Sequence, residues 1–154
     1  MQKIIPCFWF DNNLEEAFNF YASVFKDAKI NITRVPTGNG DTLVGEITLF
    51  GQQFKALNGG PIFNFNESIS FYVNCEDQKE VDYYWDALTA GGGKESACGW
   101  LKDKYGVSWQ ITPKQVFRML EDKDKAAVGR AMAAMMKMKK IDLKTMQDAF
   151  NSKA

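Results

Sequence analysis

The chain contains two similar stretches in tandem, and each one ends in an aromatic residue, a glycine and a short strand-like run. Phe50-Gly51 precedes the last strand-like run of the first stretch, and Tyr105-Gly106 precedes that of the second. In both stretches an apolar strand comes first, an amphipathic helix follows, and further strands complete the unit. A doubled unit of this kind predicts two equivalent sheets with a site built between them.

The first stretch predicts one βαβββ module over about residues 1–60. Apolar and aromatic residues at 4–10 predict the first strand. Asn13 and Glu16 have the spacing of a capping box, so a helix is expected to begin there. Strands are then predicted over residues 29–35, 42–50 and 52–58, with a tight connection at Gly51.

The second stretch predicts an equivalent module over about residues 66–114. A strand is predicted over residues 68–74, and Asp77 with Glu80 repeats the capping-box spacing ahead of a second helix. The glycines at 91–93 end that helix. One or two short strands are expected in residues 94–103 and a last strand over 107–112, so the second module lacks the long loop of the first.

Residues 115–154 predict a helical C-terminal extension and not a further domain. Pro113 suits the first turn of a helix, and Asp124 and Asp142 are placed to cap two more. The predicted fold is therefore α+β, with a paired βαβββ domain over residues 1–114 followed by these helices. Alanine and methionine residues give the extension an apolar face, which favours burial against a second copy of the chain.

Composition excludes several classes of function. The chain has 19 basic and 19 acidic residues, and this balance predicts no affinity for nucleic acid or an anionic membrane. The sequence shows no long apolar run and no signal-like start, which favours a cytoplasmic protein. There is no histidine, and Cys7, Cys75 and Cys98 form no CxxC pair, so reduced thiols and no zinc site are expected.

Three segments carry a resemblance to a known family. They are FNFY at residues 18–21, SFYV at 70–73 and CGWLKDKYGVSWQI at 98–111. With the paired βαβββ order, they resemble the PhnB-like branch of the vicinal oxygen chelate superfamily, which also contains glyoxalase I and fosfomycin-resistance proteins. That branch often carries the description 3-demethylubiquinone-9 3-methyltransferase. Residues 131–143 also resemble an extension found on some of its members.

The resemblance implies a homodimer and a cavity enclosed by two curled sheets. In metal-dependent members, the ligands are usually His and Glu on the first and last strands of each module. The matching positions here are Pro6, Lys55, Ser70 and Gln110. A slip of one residue on the first strand would replace Pro6 by Cys7 or Ile5, and neither adds an oxygen or imidazole ligand. Proline offers no side-chain donor, lysine is a cation, and serine and glutamine are weak neutral ligands. This set predicts no bound metal and no cofactor.

The residues also lack the cofactor site of a Rossmann-type methyltransferase. Such a site needs a strand that runs into a glycine-rich turn at a helix N-terminus. The glycines at 91–93 instead follow a predicted helix, and the strands come in groups without intervening helices.

Strand alternation predicts which side chains face the concave side of each sheet. On the last strand, for example, Ser108 and Gln110 alternate with the apolar Trp109. The predicted ligand-binding residues are Glu46, Lys55, Ser70, Tyr72, Trp100, Ser108 and Gln110, with Phe8 as a further apolar wall.

Each of these residues also has a structural interpretation. Glu46 and Lys55 are as well suited to an ion pair with each other as to a ligand contact. Gln110 can serve as a structural hydrogen-bond donor, and Tyr72 and Trp100 as core aromatics.

Three functions follow from this pattern. The leading hypothesis is metal-independent binding of a small uncharged or zwitterionic molecule in the cavity. The alternative is an enzyme of unknown reaction, in which Glu46, Lys55 or Tyr72 transfers protons. A third interpretation is an interaction module whose interior is filled by its own side chains.

Overall fold

The computed structural model describes residues 2–152, which divide into two compact units. The first unit ends at Phe65 and the second begins at Asn66. In the described residues, no helix is both long enough and apolar enough to span a membrane.

The first unit is one βαβββ module. Its elements are β1 (Cys7–Phe10), α1 (Leu14–Val24), β2 (Lys29–Thr37), β3 (Gly40–Leu49) and β4 (Gln52–Asn58). The strands form one sheet in the order β1-β4-β3-β2. β1 pairs in parallel with β4, whereas the other two pairings are antiparallel. The central position of β4 therefore comes from the chain returning beside its own first strand.

The second unit repeats this topology. Its first elements are β5 (Phe71–Cys75), α2 (Gln78–Thr89), β6 (Lys94–Glu95), β7 (Trp100–Lys102) and β8 (Ser108–Pro113). The sheet order is β5-β8-β7-β6, with β5 parallel to β8. The predicted α+β fold of two tandem βαβββ modules is confirmed.

The two module helices begin differently. The Asp77 carboxylate accepts a 3.0 Å hydrogen bond from the Glu80 amide at the start of α2, as the sequence predicts. The predicted capping by Asn13 is wrong, because its side chain makes no capping hydrogen bond. Instead the Asn58 side chain, at the end of β4, accepts a 3.0 Å hydrogen bond from the Leu14 amide. α1 is therefore fixed to β4, one of the two inner strands of its sheet.

The first module packs α1 closely against one face of its sheet. Gly45 permits this approach, since a Cβ there would lie 2.9 Å from the Phe18 ring of α1. Phe8 lies on this face too: its ring stacks on Phe54 at 5.2 Å and also contacts Tyr21. The prediction that Phe8 forms a wall of the concave side is therefore wrong.

The C-terminal residues form three helices within the second unit. They are α3 (Lys114–Leu120), α4 (Lys125–Met135) and α5 (Leu143–Asn151). The predicted caps Asp124 and Asp142 accept backbone hydrogen bonds at the starts of α4 and α5. A shared apolar cluster joins the helices and consists of Val116, Met119, Ala131, Ile141 and Met146.

The segment between α4 and α5 is bound to the module itself. The amides of Cys98 and Gly99 donate to the carbonyls of Met138 and Lys139, at 2.9 and 2.7 Å. The Gln78 side chain of α2 donates to the Ile141 carbonyl and accepts from the Leu143 amide. The extension is thus integrated into the second unit by backbone as well as apolar contacts.

Candidate functional site

The face of the first sheet opposite α1 carries one polar residue from each of its four strands. Asn31 pairs with Glu46, Glu46 with Lys55, and Lys55 with Cys7 in the strand register. These four residues form an in-register row across the sheet, which we call the charged row. Because Gly45 faces α1, alternation places Glu46 and its row on the other face.

A groove of about 440 Å³ lies along the charged row. Thr33, Val44 and Leu57 belong to the neighbouring row and also line the groove. A volume of this size falls within the usual range for small-molecule sites. The groove combines polar groups with two aliphatic side chains, which is also typical of such sites.

Glu46 and Lys55 form an ion pair within the groove. The Lys55 Nζ lies 3.5 Å from a Glu46 carboxylate oxygen, and the two side chains remain 54% and 43% exposed. The Gln53 amide nitrogen approaches the other Glu46 oxygen at 3.4 Å. An exposed pair of this kind contributes only about 0–1 kcal/mol to stability. Glu46 and Lys55 therefore form the ion pair that the sequence offered as one of two alternatives, and both charges remain accessible.

Cys7 lies beside Lys55 at the other end of the charged row. Burial raises the pKa of its thiol, while the nearby Lys55 ammonium acts in the opposite direction. Because the effect of burial is the larger, the thiol stays protonated at neutral pH, and this disfavours a role as a nucleophile.

The equivalent row of the second module is neutral. Tyr72 pairs with Gln110, and Gln110 pairs with Trp100, across β5, β8 and β7. We call these three residues the aromatic row. The Gln110 amide donates a 2.8 Å hydrogen bond to the Ser70 hydroxyl, so one donor of Gln110 has the structural role considered above. The structure therefore brings four of the predicted residues together on this sheet.

Tyr72 and Ser108 differ greatly in accessibility. Tyr72 is 46% exposed, and its ring lies 5.5 Å from that of Phe117 on α3. Ser108 is 1% exposed, and its hydroxyl lies 3.5 Å from the Asn66 carbonyl oxygen. Ser108 is thus placed as a packed residue beneath the start of the second unit, although the sequence predicts a ligand contact.

The two modules also allow the first-strand positions to be compared by register. Lys55 and Gln110 occupy matching places on β4 and β8, and their neighbours on β1 and β5 are Cys7 and Tyr72. The register therefore shows the slip of one residue on the first strand that the sequence left open, because Cys7 and not Phe8 matches Tyr72.

Asp103 is a buried carboxylate that the sequence reasoning missed. It is only 2% exposed, and one of its oxygens accepts hydrogen bonds from the amides of Tyr105 and Val107. The other oxygen accepts a 2.8 Å hydrogen bond from the Trp109 indole. Asp103 therefore fixes the turn before β8 and holds the strand that carries Gln110. An aspartate two residues before Tyr105-Gly106 is the signal that could have revealed it.

Comparison with known proteins now identifies the family. The family described as 3-demethylubiquinone-9 3-methyltransferase matches residues 2–112. A PhnB protein of Bacillus cereus, which carries the same description, is 34% identical, with a TM-score of 0.65 over 73% of this chain and 99% of its own. The chain belongs to this PhnB-like family of the vicinal oxygen chelate superfamily.

More distant structures share the fold alone. A Pseudomonas aeruginosa protein is 18% identical, with a TM-score of 0.60 over 73% of this chain and 98% of its own. The fosfomycin resistance protein FosX of Listeria monocytogenes is 13% identical, with a TM-score of 0.56 over 79% of this chain and 98% of its own. No protein of curated function matches the chain.

FosX has also been solved with Mn(II), whereas the corresponding strands of this PhnB-like chain carry a different set of donor groups. In the first module the matching side chains are a protonated thiol at Cys7 and an ammonium at Lys55. In the second they are Tyr72 and Gln110, together with Ser70, whose hydroxyl accepts a hydrogen bond from Gln110. The ammonium repels a divalent ion, the phenol, amide and hydroxyl are poor ligands for one, and a single thiol cannot complete a coordination shell. Moreover, no cluster of three or more Cys, Asp or Glu residues within residues 2–152 is arranged to bind a metal. The donor set does not fit a metal centre.

Proposed function

We propose that this protein binds a small organic molecule in the groove of its first module, without a metal ion. The observation that carries the proposal is the charged row: an accessible ammonium and an accessible carboxylate lie side by side in a concave site. Lys55 and Glu46 would orient the ligand through charge-assisted hydrogen bonds.

Unpaired polar groups beside the ion pair support ligand binding. Among residues 2–152, the side chains of Asn31 and Thr33 have no hydrogen-bond partner within the protein. Both line the groove, where a ligand can pair with them in place of water. Val44 and Leu57 supply apolar contact area next to these groups.

We propose the aromatic row as a separate small-molecule contact surface on the sheet of the second module. Tyr72 and Trp100 flank Gln110 on one face, and aromatic side chains beside an amide suit a planar polar group. Ser70 would act through its hydrogen bond to Gln110, and Ser108 through the packing of the same strand.

Methyl transfer, the reaction in the family description, has no support in the geometry of the described residues. Each sheet has a single parallel pair, β1 with β4 or β5 with β8, and its other pairings are antiparallel, so neither is a doubly wound parallel sheet. Gly91 and Gly92 follow the end of α2, where their positive φ angles of 71° and 119° turn the chain away from the helix. A glycine turn that leads into a helix N-terminus would be required for a Rossmann-type site.

Isothermal titration against a library of metabolites tests the proposal. We expect at least one saturable ligand for the wild-type protein and a loss of about tenfold or more in affinity for Lys55→Ala, since an ion pair to the ligand is removed. Lys144→Ala is the matched control, because that exposed lysine on α5 pairs with Asp148 of the same helix and lies outside the groove lining. Absence of any saturable ligand, or equal affinity in Lys55→Ala and wild type, would contradict the proposal.

Added metal provides an independent check. We expect Mn²⁺, Ni²⁺ and Zn²⁺ to leave both the unfolding temperature and the ligand affinity unchanged. A stabilising shift that Cys7→Ser abolishes would contradict metal-independent binding.

A further inference from the structure

We propose that the ligand of the charged row is amphoteric: a molecule of the α-amino acid class, with its ammonium group on Glu46 and its carboxylate on Lys55. The inference rests on the proposed function and specifies its ligand chemistry. It follows from the neighbouring positions of two opposite, accessible charges in the register of β3 and β4.

A ligand with a single charge is poorly matched to this site. An anion that approaches Lys55 also meets the Glu46 carboxylate, one of whose oxygens lies only 3.5 Å from the lysine nitrogen. A cation that approaches Glu46 meets the Lys55 ammonium in the same way. In both cases one attraction is opposed by one repulsion at similar range, so little net electrostatic energy is gained.

An amphoteric ligand avoids this conflict. Its two charges can lie antiparallel to the protein pair, so each protein charge faces an opposite ligand charge. Directly opposed residues on antiparallel strands have Cβ atoms about 4.5–5.5 Å apart, which keeps both protein charges within reach of one compact molecule. Four charges then alternate in sign, and none is left without a partner.

The existing ion pair does not prevent this arrangement. Both side chains are about half exposed, and the contacts of Glu46 to Lys55 and Gln53 are long, at 3.5 and 3.4 Å. An exposed pair of this kind is weak, so the two side chains can separate to admit the ligand groups. The lysine ammonium also has three donors, of which the Glu46 contact uses one.

The neighbouring row indicates the rest of the ligand. Val44 and Leu57 lie beside the charged row on the same face, and together they offer an aliphatic surface. This favours an apolar substituent on the carbon that carries the two charged groups. Thr33 lies at the end of this row on β2, an edge strand of the sheet, where its hydroxyl can form a hydrogen bond with a polar atom of a longer substituent.

Titration with matched probes tests the inference. Apolar α-amino acids, with leucine as the reference, retain both charges; 4-methylpentanoate is leucine without its amine, and 3-methylbutylamine is leucine without its carboxylate. For the wild-type protein we expect an amino acid of this panel to bind about tenfold or more tightly than either single-charge counterpart, the loss expected for one charge-assisted hydrogen bond.

Two conservative variants should change which probe the protein binds more tightly. In Glu46→Gln the ammonium loses its partner, so 4-methylpentanoate should bind at least as tightly as leucine. In Lys55→Met the carboxylate loses its partner, and 3-methylbutylamine should bind at least as tightly as leucine. Lys144→Met serves as the control for removal of a lysine, and unchanged unfolding curves for all three variants exclude a folding defect.

The outcomes distinguish this inference from the proposed function. The proposal of an amphoteric ligand is overturned if no amino acid of the panel binds. It is also overturned if an acid that lacks the amine, such as 4-methylpentanoate, binds the wild-type protein as tightly as its amino acid. If a library molecule of a different class then binds with Lys55 dependence, the groove remains a binding site. If nothing in the library binds, both proposals fail together.

Discussion

The two modules share one topology, but their matching strands carry charged side chains in the first module and aromatic and amide side chains in the second. In the first, β1, β4 and β3 carry Cys7, Lys55 and Glu46; in the second, β5, β8 and β7 carry the aromatic row. The faces that pack against helices remain apolar in both modules. The exposed faces have therefore diverged without any change of strand order, because alternation separates the residues that fold a sheet from those that meet a ligand.

The modules also differ in how their last two strands are joined. In the first, Leu49 pairs with Gln52 across a two-residue turn at Phe50 and Gly51, both with positive φ. In the second, the Asp103 amide donates to the Val107 carbonyl, which leaves a three-residue turn. In the two-residue turn, the backbone hydrogen bonds of the strand pair close the turn without a side chain. The longer turn has further backbone amides, and those of Tyr105 and Val107 donate hydrogen bonds to the Asp103 carboxylate. The same sequence signal, an aromatic residue and a glycine, thus serves two different turns.

The largest effect is expected from Asp103→Ala. The substitution leaves two backbone amides and the Trp109 indole without their buried acceptor, at a cost of about 1–3 kcal/mol for each unsatisfied donor. Urea denaturation should therefore show a loss of about 3 kcal/mol or more in the free energy of unfolding. Asp103→Asn is the control: it keeps an oxygen for the two amides, so its loss should be smaller. Equal losses, or no loss in Asp103→Ala, would mean that the carboxylate does not hold the longer turn.

A smaller effect is expected from Gln78→Ala, which tests a connection that only the second module has. The side chain makes two hydrogen bonds to the segment between α4 and α5, and each contributes about 0.5–1.5 kcal/mol. Hydrogen exchange should accelerate in residues 138–151 and stay unchanged in the first module. Acceleration spread equally over both units would contradict a connection confined to the second.

The smallest effect is a pH dependence of the second module. The Trp85 indole donates to the Glu95 carboxylate, and this hydrogen bond, with help from Lys139, lowers the pKa of Glu95 below its ordinary value of 4.5. A carboxylate whose pKa falls on folding stabilises the protein above its unfolded pKa, and this contribution disappears as the pH falls through the folded pKa. Denaturation measured below pH 4.5 should show a shallower pH dependence for Glu95→Gln than for wild type. Identical slopes would show that Glu95 does not contribute to the pH dependence of stability.

The sequence predicted the repeated topology well because its signals are local. The helical periodicity, the Asp77, Asp124 and Asp142 caps and the aromatic-glycine turns each act within a few residues. The predicted face of Phe8 failed because β1 has only four residues, too few for alternation to fix which side is buried. The contacts across the chain also escaped prediction: Asn58 caps a helix 44 residues away, and Asp103 is paired with an indole that no spacing rule connects to it.

Of the candidate site, the sequence predicted the charged pair but not its neighbours. Glu46 and Lys55 stood out as charges within apolar strands, whereas the row that joins them to Asn31 and Cys7 depends on strand register. The burial of Ser108 depends on the position of Asn66, which belongs to an irregular segment. Strand register and loop position are set by tertiary packing, so neither can be predicted from a single segment of the sequence.

The hydrogen bonds of Cys98 and Gly99 to Met138 and Lys139 have a consequence for biosynthesis. The first module has all its strands once Asn58 has left the ribosome, so it can fold while translation continues. The second must wait some 40 residues beyond the synthesis of Gly99 for the carbonyls that hold its own loop. Nascent chains arrested between these points should therefore contain all the strands of the first module, while the second still lacks the carbonyls that bind Cys98 and Gly99.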